Sequence, residues 1–166
     1  MGLLPLRQFD GTASAQYRNP SDPELRLDFV TSMTRDGKSV QLPDLNLALE
    51  PLKFMDLLLD GPTQSSVIGN QGACIVNVPV PERFAVHKLI VHGERPIAER
   101  AKATKDLLQT AGLASYFAKT GQTQTFNKAW NEALGNGKGW RDRLLRGKQA
   151  LLQTAPDLRS AALWQE

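Results

Sequence analysis

At 166 residues, with 41% hydrophobic and 22% charged side chains, the chain has room for one substantial core or two small lobes and the composition of an ordinary globular protein. No apolar run is long enough to span a bilayer, and the start, MGLLPLRQFDG, lacks the charged n-region and long h-region of a secretion signal. The net charge of +3 is mild but uneven: residues 1–80 hold six Lys/Arg against nine Asp/Glu, and residues 81–166 hold fourteen against eight.

Cys74 is the only cysteine, which excludes an intramolecular disulfide and a cysteine metal cluster and points to a reducing cytoplasm. The basic second half suits a polyanion, either nucleotide phosphates or nucleic acid, and equally a solvated helical surface.

Strand signals come first. Leu25 to Thr31 alternates at its start and predicts a strand with Leu25, Leu27 and Phe29 facing one layer and Asp28 the other. Asp36-Gly37 predicts a tight hairpin turn with Val40 to Leu42 returning. Pro51 to Leu59 reads as a short, mostly buried helix with proline in its first turn. Ser66 to Ile68 and Cys74 to Val78, joined by Gly69-Asn70-Gln71-Gly72, predict a second hairpin with Cys74 buried and inert.

After Pro79 the period changes from two to nearly four. Pro81 can open a helix through Phe84, Val86, Leu89, Ile90 and Val91, apolar on so many sides that it belongs at the centre of a core, with Gly93 and Pro96 ending it. Further helices are predicted from about Ile97 through Leu113, over Thr125 to Leu134, Trp140 to Leu152 and Asp157 to Trp164. The fold class is therefore α+β, a small antiparallel sheet followed by a helical bundle, divided at residues 1–79 and 80–166.

Lys88 stands in this apolar helix and must snorkel out, find a carboxylate or face a cleft. Lys102, Lys105, Asp106 and Gln109 share one helix face, either as a solvated surface with a Lys102–Asp106 ion pair or as a cleft wall. His87 and His92 lie five residues apart, about 140° around a helix, and do not converge on a metal. Gly135 to Trp140 lacks the spacing of a phosphate loop and reads as a helix-breaking linker. Arg141, Arg143, Arg146 and Lys148 make the last long helix basic, a nucleic-acid contact in principle but without interleaved aromatics.

The blocks Arg26 to Thr31, Pro51 to Leu58, Val78 to Leu89 and Lys102 to Leu107 resemble, in that order, the later part of bacterial nucleotidyltransferase-fold proteins, distant relatives of the abortive-infection nucleotidyltransferase toxins. The resemblance covers roughly residues 5–115, and His87-Lys88-Leu89 and Lys102-x-x-Lys105-Asp106 are its most telling parts. It implies transfer of a nucleoside monophosphate from a nucleoside triphosphate, with Mg²⁺ held by an Asp-x-Asp pair and a third carboxylate.

By the same resemblance Asp28 stands where the third carboxylate, a catalytic and metal-binding group, belongs. Lys88, Lys102, Lys105 and Asp106 would line the phosphate cleft. A Gly-Ser turn and an Asp-x-Asp pair are not found; Gly11-Thr12 with Asp22-Pro23-Glu24 imitates them formally, but Pro23 suits an interior strand poorly and the pair would share a strand with Asp28. The expectation is a truncated or split nucleotidyltransferase completed by an upstream segment or partner protein. The alternative is a non-catalytic module binding nucleotide, nucleic acid or protein. A homodimer would cover an exposed apolar face.

Overall fold

In a computed structural model, residues 2–6 and 13–165 are described, and the chain divides into two compact units, Met1–Met55 and Asp56–Glu166. The change from strands to helices falls later, at Val78 to Pro81, so a hairpin is grouped with the helices.

Among its described residues the first unit holds two three-stranded sheets. Strands β1 (Leu4–Pro5), β2 (Gln16–Asn19) and β3 (Asp22–Asp28) pair antiparallel in chain order, with a bulge between Arg18 and Asn19. In the second sheet β4 (Val30–Ser32) and β5 (Val40–Leu42) flank β6 (Leu47–Leu52), β4 parallel to it and β5 antiparallel. Ser14 and Ala15 join the two: Ala48 donates its N–H to the Ser14 carbonyl and Phe29 to that of Ala15, with Ser14, Ala15 and Ala48 buried. Tyr17 and Phe29 add an edge-to-face contact at 5.7 Å.

Three expectations change in this unit. Asp36-Gly37 does make a turn, with Gly37 at φ +65° and its N–H donated to Thr34, but β4 and β5 pair with β6 and not with each other. Pro51 lies in β6, opposite Thr31 and beyond the stretch that pairs with β5, where its missing N–H is tolerated. The helix α1 starts only at Met55 and ends at Leu59, because Phe54 at φ +68° breaks the path from Pro51. Leu25 and Leu27 are 51% and 42% exposed, so alternation along β3 does not mark a buried layer.

In the second unit β7 (Thr63–Gly69) and β8 (Gly72–Val78) form the predicted hairpin about Asn70-Gln71, in register from Thr63 with Val78 to Gly69 with Gly72. Its residues are almost all exposed, Cys74 among them, contrary to the expectation of a buried thiol; a two-stranded ribbon has no second layer to cover it.

The helices are α2 (Pro81–Glu94), α3 (Arg100–Lys119), α4 (Thr123–Gly135) and α5 (Lys138–Thr154). Pro81 occupies the first position of α2, and Ala85, Val86, Leu89 and Ile90 are fully buried there, as the all-round apolar pattern requires. Helices α2 and α5 approach at backbone distance. A Cβ on Gly147 would stand 2.2 Å from the Leu89 carbonyl oxygen, and one on Gly93 2.3 Å from that of Arg143. Phe126 and Trp130 of α4 and Leu144 and Leu151 of α5 complete the core. Beyond α5 the chain makes a short 3-10 turn, Pro156–Ser160, in place of the helix expected to Trp164; Trp164 then closes edge-to-face on Phe126 and Trp130.

Candidate functional site

In the middle of α2 the buried apolar residues are interrupted at His87 and Lys88, and α3 answers Lys88 with Asp106. The Asp106 carboxylate is buried, 2% exposed, and accepts hydrogen bonds from Lys88 Nζ at 3.0 Å and Arg95 Nε at 2.6 Å. Arg95 Nη1 reaches Glu99 at 2.6 Å. Lys88 also lies over the Phe84 ring, 5.1 Å from its centroid. Thr110, one turn beyond Asp106, has its single hydroxyl hydrogen shared between the Asp106 carbonyl at 3.0 Å and the Ala85 carbonyl at 3.3 Å, and so ties α3 to α2.

Burial works to raise the Asp106 pKa, but the hydrogen bonds from Arg95 and Lys88 and the attraction of both charges outweigh it and hold the carboxyl below its ordinary value. The group is therefore ionised at neutral pH. Next to it His87 is buried, and neither ring nitrogen meets a hydrogen-bond partner among the described residues. Burial first, then the Lys88 charge, push its pKa down to about 4, against the pull of Asp106, so the ring is neutral. His92 Nδ1 sits 3.2 Å from the Ala103 carbonyl oxygen.

The residues singled out in the sequence are distributed as follows. Lys88 and Asp106 meet directly. Lys102 is 69% exposed with Nζ 3.8 Å from Glu99, and Lys105 is exposed one turn along. The Lys102–Asp106 pair that the solvated-surface alternative would give is replaced by Lys102 with Glu99, since α3 turns Asp106 inward to α2 while both lysines stay outside. Asp28, at the end of β3, is exposed and belongs to the Met1–Met55 unit. Asp22 and Glu24 share its strand, where Asp22 accepts the Glu24 N–H in a local turn. Gly11-Thr12 lies outside the described residues.

Arg95 and Glu99 were missed as site residues. The available signal was a pair of seven-residue spacings, Lys88 to Arg95 and Glu99 to Asp106, which returns each pair to one side of its segment after two turns. Lys88 and Arg95 are each about a fifth exposed, 22% and 21%, so both cations are fixed from below by Asp106 and open above to solvent. With Lys102 and Lys105 beside them, cations outnumber anions at this end of α3, an arrangement that attracts an anionic ligand.

Among the described residues no three His, Cys, Asp or Glu side chains gather to hold a metal ion, so the residues described do not by themselves fit a two-metal centre. No helix among them is long and apolar enough to cross a membrane. No curated protein and no solved structure matches the chain significantly. A family model described as Nucleotidyltransferase matches residues 2–135, most of the chain and all of the Lys88–Arg95–Asp106 cluster, and the chain therefore belongs to that nucleotidyltransferase family.

Proposed function

We propose that the chain serves transfer of a nucleoside monophosphate from a nucleoside triphosphate, with the α2–α3 cluster presenting fixed positive charge to the polyphosphate. The observation that carries this reading is Lys88: a cation on a buried helix, anchored by a buried carboxylate yet open to solvent, inside the family-matched stretch. Asp106 positions Lys88 and Arg95 by hydrogen bonds and keeps them from swinging away. Lys102 and Lys105, exposed on α3, supply the outer phosphate contacts. An anchored cation of this kind stabilises charge without reorganising when the ligand arrives.

Asp28 is proposed as one carboxylate of a Mg²⁺ site, the remaining ligands coming from an upstream segment or a partner chain. The kinship with bacterial abortive-infection toxins and a cytoplasmic location belong to the same proposal. A second reading, a non-catalytic nucleotide-, nucleic-acid- or protein-binding module, draws on the commitment of both Asp106 oxygens to protein cations.

Calorimetric titration of ATP in Mg²⁺ and in EDTA separates the two. Under the first reading Lys88→Ala weakens ATP binding about tenfold or more, the effect of removing one charge-assisted hydrogen bond, and Asp28→Asn removes the Mg²⁺-dependent part. Metal-independent binding that Asp28→Asn leaves unchanged favours the second reading, and undiminished binding by Lys88→Ala sinks both phosphate assignments.

A further inference from the structure

The positive charge of this protein is concentrated beyond its family-matched part. Residues 1–135 carry fourteen Lys/Arg and fourteen Asp/Glu, whereas residues 136–166 carry six against three and so account for the entire net charge of +3. Helix α5 holds five of those six cations: Lys138, Arg141, Arg143, Arg146 and Lys148. Arg143 is engaged by Glu94, and Asp142 and Asp157 offset part of the rest. Lys138, Arg141 and Arg146 are exposed on the outer side of the helix, and Arg159 is exposed on the 3-10 turn.

A cavity of about 390 Å³ opens where α5 meets that turn, lined by Lys148, Gln149, Leu152, Gln153, Arg159 and Trp164. Its chemistry is specific. Leu152 and the Trp164 indole give it apolar walls, while two glutamine amides offer both donors and acceptors. Lys148 and Arg159 bring positive charge to it. Lys148 is held in place over the Trp164 and Trp130 rings, 4.9 and 5.1 Å from their centroids. Trp164 is itself fixed, its indole N–H donated to the Leu158 carbonyl at 2.9 Å. Beyond Trp140 in its first turn the basic helix has no aromatic residue of its own; the chain end folds back and delivers one.

We propose that this cavity and the basic face of α5 form a binding site for single-stranded nucleic acid, one unstacked base entering between Leu152, Trp164 and the glutamines while Lys138, Arg141 and Arg159 meet the phosphates. A pocket of this size with polar amides and an aromatic wall suits a base free of its stack, and a paired base in a duplex is not available to it. The assignment of the bound strand as acceptor of nucleotidyl transfer rests on the function proposed above; the binding itself does not.

The test is fluorescence anisotropy of a labelled single-stranded uridine 12-mer on the full chain, at 50 and 200 mM salt, alongside calorimetry with ATP. The expected result is salt-dependent binding that Arg141→Glu/Arg159→Glu weakens tenfold or more, with the log–log salt slope reduced by about 1.4, roughly 0.7 for each arginine that no longer meets a phosphate of a single strand. Both arginines are exposed, so an unchanged helical circular dichroism spectrum certifies the fold. Unchanged ATP binding by the same variant places the strand site apart from the Lys88 cluster, so that a failed nucleotidyltransferase reading leaves this one standing. Wild-type affinity in the double variant, no binding at 50 mM salt, or equal affinity for a 12-base-pair duplex overturns the proposal.

Discussion

Lowering the pH from 7.5 to 5.0 should destabilise the helical unit through His87. The imidazole has a pKa of about 4 in the folded chain against 6.5 when exposed, because burial and the neighbouring Lys88 disfavour its charged form. Between those values the unfolded chain binds a proton that the folded chain does not, so stability is complete above 6.5 and is lost as the pH falls toward 4. The shift corresponds to about 3 kcal/mol in full and about 2 kcal/mol by pH 5. Asp106 has a depressed pKa, so its contribution stays in place above the ordinary carboxylate range and does not confuse this window. Urea titration followed by helical circular dichroism should show the midpoint falling by about 1 M between the two pH values. His87→Leu, which fills the same apolar surroundings without a titrating group, should remove most of that fall. Parallel pH dependence in the wild type and the variant would refute the reasoning, because the buried ring would then be titrating normally or be hydrogen-bonded in the folded chain.

Asp106→Asn should cost about 3 kcal/mol in urea unfolding, since it strands two partly buried cations; the loss should shrink when Lys88→Met is made in the same chain, and an unchanged cost would deny the pair its coupling. Gly147→Ala should lower the thermal midpoint by about 10 °C, because the new methyl meets the Leu89 carbonyl and forces α2 and α5 apart. Gly112→Ala, in the middle of α3 with nothing within 4 Å, should instead be neutral or stabilising by up to about 1 kcal/mol. Equal midpoints for the two alanine variants would contradict the close helix approach.

The four long helices were legible because their signals are local: a period near 3.6, Pro81 at an entry, and Gly135 to Gly137 at a break. The β7–β8 hairpin was legible for the same reason, through Gly69 and Gly72 around a two-residue turn. Lys88 was marked by the sequence as a cation in apolar surroundings, and of the three outcomes open to it the structure shows a carboxylate partner, Asp106. Strand pairing was not legible. Nothing in Val30 to Leu42 says that two adjacent strands will take opposite sides of a third, since that choice depends on residues 47–52. Exposure along β3 and at Cys74 failed likewise, because alternation states which residues share a face but not whether any layer covers it.

Composition and periodicity thus settled the α+β class, the central position of α2 and the basic character of the C-terminal helix. Only tertiary structure decided that Asp106 turns inward to Lys88 and Arg95 rather than outward to Lys102, and that Trp164 returns to the foot of α5. Backbone preferences act over a few residues, so they can be read along the chain. Pairing of a buried charge and closure of a cavity depend on which segments meet across tens of residues, and that is set by packing.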